Sequence, residues 1–111
     1  MRKLLVLIAA LSAVLGLSAC GGDSGGDAPA ATIRVQNMSY SPASITIEKG
    51  QTVEWIFDDS GLPHDVVDDD GKYRSDLLTT GSFTHTFTES GTFTYHCTPH
   101  TMMLGTVVVE G

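Results

Sequence analysis

Phe93-Thr94-Tyr95-His96-Cys97-Thr98-Pro99-His100-Thr101-Met102-Met103-Leu104-Gly105-Thr106-Val107-Val108-Val109 decides the reading of this chain. Its two ends have strand character. Phe93, Tyr95 and Cys97 alternate with polar neighbours, and Thr106 opens a β-branched run that continues to Glu110. Between them a short loop packs one Cys, one His and two Met. The same period-2 pattern extends upstream. Ile33 and Val35 alternate with polar residues, as do Ile45 and Ile47 with Thr46 and Glu48. Val53, Trp55 and Phe57 share one face while Glu54 and Ile56 take the other, and Phe83, His85 and Phe87 form another set. Turn clusters separate these runs at Tyr40-Ser41-Pro42, Lys49-Gly50-Gln51, Asp58-Asp59-Ser60-Gly61 and Glu89-Ser90-Gly91. No helix of three turns is evident, no internal repeat occurs, and residues 68–81 carry no readable period. Short strands at this spacing predict an all-β sandwich of two sheets.

The composition agrees. The chain has 111 residues, 17% of them charged and 7% aromatic, with twelve Gly. This is the balance of one small β-domain, not of a helical bundle. Six Lys and Arg face thirteen Asp and Glu, for a formal charge of −7. A nucleic-acid partner is excluded on that ground, because phosphate contacts need clustered cations. Two Cys provide no disulfide framework.

The N-terminus has the three-part layout of an export signal. Arg2 and Lys3 precede an uncharged apolar stretch from Leu4 to Leu15, and Leu17-Ser18-Ala19-Cys20 follows. This end resembles the bacterial lipobox, in which the Cys becomes the lipidated first residue. The competing reading is an uncleaved transmembrane anchor. Residues 4–19 are short for a span, and Gly16, Ser18 and Ala19 weaken its end. The expectation is therefore a signal peptide at 1–19, a lipid on Cys20 and a membrane-anchored lipoprotein on the extracytoplasmic face, periplasmic or at the cell surface. Cleavage removes Arg2 and Lys3, which takes the formal charge from −7 to −9. Residues 20–31, rich in Gly, Ser, Asp and Ala, form a flexible tether. The folded domain is then 32–111, about 80 residues, small enough to need a well-made core or a bound metal.

With Cys20 lipidated, Cys97 is the lone thiol of an exported protein. Such a thiol is buried and inert, paired between chains, or bound to metal. His100 follows after three residues and Met103 after three more. A turn of that size can converge thiolate, imidazole and thioether on one point. This donor set favours copper: calcium and magnesium want oxygens, and structural zinc usually takes a fourth Cys or His rather than Met. Two His and one Cys with a weak axial Met is the blue-copper pattern, so a second His is required from elsewhere. His64, in Leu62-Pro63-His64-Asp65-Val66, is the best candidate.

The segment Cys97 to Val109 resembles the ligand loop of the small blue copper proteins, the cupredoxins. The two residues between His100 and Met103 resemble the amicyanins more than the plastocyanins or pseudoazurins. Tyr40 to Trp55 and Phe87 to Cys97 also match the family pattern, so the resemblance spans nearly all of 32–111. It implies a Greek-key β-sandwich of seven or eight strands and one type 1 copper per chain. His64, Cys97 and His100 would be the equatorial ligands and Met103 the axial one. The backbone near Asp65 would donate toward the Cys97 sulfur. His100 would reach solvent through an apolar docking patch of Leu62, Pro63, Pro99 and Met102. The implied function is one-electron transfer between redox proteins, by a monomer that is not itself an enzyme. The sequence departs from the family at Asp65, where Asn is frequent. It departs again in a shorter segment between His64 and Phe83 that carries Asp68-Asp69-Asp70, so the resemblance does not extend to the amicyanins' methylamine-oxidising partner.

Competing readings exist for several residues. Met102 rivals Met103 as axial ligand, and the family spacing favours Met103. His96 alternates away from Cys97 and faces outward as a non-ligand. His85 reads as a core or edge residue, Trp55 as core, and Met38 as core packing or turn cover. Asp68-Asp69-Asp70 reads as a solvated turn. A calcium site there lacks EF-hand spacing, and steering of a basic partner is the other role open to it. The alternative function is copper storage or delivery, which usually shows extra exposed Met or His; here only Met102 is spare. A copper-oxidase domain would need further His clusters.

Overall fold

The computed structural model describes residues 28–111. The expected signal peptide at 1–19, the lipid on Cys20 and all but the end of the 20–31 tether lie outside the described residues. Eight strands follow in order: β1 Ala31–Gln36, β2 Ser39–Ser41, β3 Ser44–Glu48, β4 Thr52–Phe57, β5 Val67–Asp68, β6 Gly81–Thr86, β7 Gly91–His96 and β8 Leu104–Glu110. There is no helix among the described residues. The strands form two four-stranded sheets, ordered β2-β1-β4-β6 and β3-β8-β7-β5. The chain crosses between sheets after β2, β3, β4, β5 and β6, which makes both sheets mixed. The expected all-β Greek-key sandwich of seven or eight strands is what folds.

Register follows the alternation in the sequence. β1 runs parallel to β4 with Ile33 opposite Trp55 and Val35 opposite Phe57. β3 runs parallel to β8 with Ile47 opposite Val109. All six of these side chains are buried, together with Val53, Tyr95 and Val107. A one-residue slip would turn every one of them to solvent, and full burial of each aliphatic or aromatic side chain is worth roughly 1.5–3 kcal/mol. Trp55 sits at the middle, edge-on to Tyr95 with ring centroids 5.5 Å apart.

The part without a readable period becomes a folded-back arm. β5 pairs with β7, and isolated bridges join His64 to Leu78 and Val67 to Arg74. Asp68 corrects the expectation of a solvated acidic turn, because it is buried. Its carboxylate accepts the Lys72 N–H at 3.0 Å, and Gly71 turns the chain there with φ 77°. Asp69 is tied down as well. Its carboxylate binds the Thr94 hydroxyl and the His96 ring, each at 2.6 Å. The outward-facing His96 thus has a partner that is not a metal.

Candidate metal centre

β7 and β8 form the hairpin that presents the loop. Tyr95 pairs with Gly105 and His96 with Leu104, and the Cys97 N–H then donates to the Met103 carbonyl at 3.2 Å. The Met103 N–H closes a turn onto the His100 carbonyl at 2.9 Å. Gly105 is required for this hairpin: a Cβ there would overlap the Tyr95 ring. Cys97 is fully buried, at the point where its strand enters the loop.

His64 reaches the same point from the other sheet's connection. It is fully buried and held by paired backbone bonds with Leu78. Its Nδ1 lies 3.6 Å from the Cys97 sulfur and 3.1 Å from the His100 Nδ1. The His100 Nδ1 is also 3.6 Å from that sulfur. A metal at the centre of a trigonal N, N, S set, with bonds of about 2.0 Å to N and about 2.3 Å to S, needs separations of about 3.5 Å between nitrogens and about 3.7 Å from nitrogen to sulfur. The observed triangle is within a few tenths of an ångström of that, so these residues fit one metal ion. Within the described residues, it is the only such group of His, Cys or carboxylate side chains. Met103 is buried at the loop's end, while Met102 is 93% exposed. Both line a surface cavity of about 260 Å³ together with Met38, His100 and Thr101.

One functional residue escaped the sequence. Asp59 accepts a hydrogen bond from His64 Nε2 at 2.7 Å. That bond assigns the ring proton to Nε2 and leaves the Nδ1 lone pair facing the cysteine. Asp59 is itself clamped by the Asn37 and Met38 N–H groups, at 3.0 Å each. Both donors have left-handed backbone, φ 55° and 57°. Asp59 returns to His64 through a tight turn in which Leu62 N–H meets the Asp59 carbonyl, with positive φ at Ser60 and Gly61. The His64 hydrogen bond is the largest cause holding the Asp59 carboxyl below the usual carboxylate range. No sequence signal marks this, because Asp58-Asp59-Ser60-Gly61 reads only as a turn.

Burial pushes the Cys97 thiol pKa up, against the pull of the Asp65 and His100 N–H groups that donate toward the sulfur. A metal binds the thiolate, so binding has to expel that proton. Asp65 is buried, and its carbonyl accepts the Tyr40 hydroxyl at 2.6 Å. Of the expected docking patch, Leu62, Pro99 and Met102 are exposed and Pro63 is half-buried.

Residues 28–110 match the family of copper binding proteins described as the plastocyanin/azurin family. The chain belongs to this family. It is similar to amicyanin of Paracoccus versutus, 34% identical over 89 residues that cover 75% of this chain and 67% of that protein. It is 33% identical to plastocyanin of Scenedesmus fuscus over 87 residues, covering 66% of this chain and 88% of the plastocyanin. Among solved structures, a methionine variant of amicyanin in its Cu(I) form superposes with a TM-score of 0.67 at 33% identity, covering 75% of this chain and 84% of that one. The protein is thus a blue copper electron-transfer protein, and copper is its cofactor.

Proposed function

We propose that this chain carries single electrons outside the cytoplasm, tethered to a membrane by a lipid on Cys20 and the 20–31 segment. His64, Cys97 and His100 would hold one copper as its strong ligands, and Met103 would supply the weaker fourth donor. The observation that carries this is the buried triangle of two ring nitrogens and one sulfur, 3.1 to 3.6 Å on a side. Copper bound there supplies the Cu(II)/Cu(I) couple. The chain's own residues keep the geometry constant through that cycle. Asp59 fixes the His64 ring, the β7–β8 hairpin fixes Cys97, and both rest on a packed sandwich. Soft sulfur and borderline nitrogen donors suit both oxidation states without ligand exchange. Burial of the sulfur shields it from the oxidation that exposed thiolates suffer.

His100 is the half-buried member of the set and the route by which electrons enter and leave. Leu62, Pro63, Pro99 and Met102 form the apolar patch around it on which redox proteins dock. Four protein ligands leave no open position for a substrate, which makes the chain a carrier rather than an enzyme, working as a monomer.

Visible absorption tests the reading. The full chain in detergent, given one equivalent of Cu(II), is expected to show an intense thiolate-to-copper band. Ascorbate should bleach it and reoxidation restore it. Copper held without that band, or held only as Cu(I), would move the assignment to copper delivery.

A further inference from the structure

We propose that Arg74 is a positioning residue of the copper centre, which pairs with the buried Asp65 carboxylate, offsets its charge and so holds the site's balance toward Cu(I). The proposal deepens the blue-copper reading and rests on it.

Asp65 follows a candidate ligand directly, and its side chain is only 4% exposed. One carboxylate oxygen accepts the Thr98 N–H at 2.6 Å, a short charge-assisted bond onto the residue after Cys97. The other oxygen lies 3.8 Å from the Arg74 guanidinium. Residue 65 therefore joins three parts of the site: its N–H donates toward the Cys97 sulfur, its carbonyl accepts from Tyr40, and its side chain grips the ligand loop. A fixed negative charge beside the metal favours the higher oxidation state.

Arg74 is held at its post by backbone. It bridges Val67, the Ser75 N–H donates to the Val66 carbonyl at 2.8 Å, and the Ser75 hydroxyl accepts the Val66 N–H at 2.9 Å. The segment without sequence periodicity thus places a cation beside the site. The other paired lysine and arginine side chains have exposed partners: Arg34 meets Asp58, and Lys72 meets Glu89. Among the described ion pairs of Lys and Arg, only that of Arg74 joins a buried carboxylate.

The test is a spectroelectrochemical titration of the copper-loaded full chain in detergent. Arg74→Ala should shift the Cu(II) to Cu(I) ratio at a fixed applied potential toward Cu(II) by roughly two- to fivefold, the scale of an ion pair with one exposed partner. Arg74→Lys, which keeps the charge, should restore most of it. Asp65→Asn should move the ratio the opposite way. Lys72→Ala removes the same formal charge next to an exposed partner and should leave the ratio in place. Should Arg74→Ala lose copper, Arg74→Gln carries the same test. A shift in Arg74→Ala no larger than that of Lys72→Ala, or no recovery in Arg74→Lys, overturns the proposal. An absent blue band in the unaltered chain overturns the ligand reading instead, so the two failures are distinct.

Discussion

His64 and His100 present the same Nδ1 atom to the same sulfur at the same 3.6 Å, yet they sit in opposite surroundings. His64 is fully buried, bridged to Leu78 by backbone, and locked through Nε2 to Asp59. His100 is half-buried on a seven-residue loop, beside the most exposed methionine of the described chain. One imidazole belongs to the scaffold and the other to the surface. The contrast separates two demands on an electron carrier. The metal has to stay where it is, and an electron has to get out.

The largest expected effect removes what both histidines converge on. Cys97→Ser should abolish the intense visible band altogether while the sandwich still folds, because Cys97 closes no disulfide and serine fits its volume. A retained band would mean that another sulfur is the ligand.

The next experiment breaks the symmetry between the two rings. His100→Gly leaves a gap that opens toward the surface cavity, so added imidazole should restore the band. His64→Gly leaves a gap inside the core, and imidazole should fail to reach it. Equal rescue of both variants would show that the burial difference does not govern access.

Asp59 sharpens the buried side. Asp59→Asn keeps the size but weakens the hold on His64 Nε2, and should cost roughly 10–100-fold in copper affinity. The pH dependence has a definite sign. The folded Asp59 and Asp69 carboxyls both lie below their ordinary value, Asp59 chiefly through His64 and Asp69 chiefly through the Thr94 hydroxyl. Each contributes stability that is present above the unfolded pKa of about 3.9 and is lost as pH falls through the lower folded value. The unaltered apo protein should therefore be more stable than Asp59→Asn near neutral pH, and that difference should shrink as pH falls below about 4. A difference that is absent at neutral pH, or that persists unchanged into acid, would deny Asp59 its role.

These two sides were unequally legible in the sequence. Cys97, His100 and Met103 lie within seven residues between two alternating runs, so local spacing alone brings them together. Six of the strands were legible for the same reason, since period 2 reports a half-buried face; β2 lies where Tyr40-Ser41-Pro42 reads as a turn, and the two residues of β5 are too few to show a period. His64 was found because a blue-copper set demands a second imidazole, not because anything local marks it. Asp59 and Arg74 left no such trace. Asp59 meets its clamp, Asn37 and Met38, across more than twenty residues, and Arg74 meets Asp65 only after the 67–78 arm folds back. Asp68 misled because composition predicts solvation, whereas backbone N–H groups can satisfy a buried carboxylate.

Gly105 tests the hairpin that carries the surface histidine. Its missing Cβ makes room for Tyr95, which packs against Tyr40 and Trp55. Gly105→Ala should destabilise by about 1–3 kcal/mol, the usual cost of overpacking a core, measured by denaturant titration of the apo chain. A neutral result would mean that the hairpin opens at no cost.

The smallest structural effect belongs to Met102, and that is what makes it informative. At 93% exposure its side chain supports almost nothing beneath it, so Met102→Ala should change stability by less than about 0.5 kcal/mol. It should also leave the visible band unmoved, because Met103 and not Met102 is the buried thioether. Apolar area on a docking surface matters only when a partner covers it. The substitution should therefore slow electron exchange between two copies of the protein, or with a redox partner, at unchanged driving force. A moved band would make Met102 a ligand and exchange the roles of the two methionines; unchanged exchange kinetics would place the electron's exit away from His100.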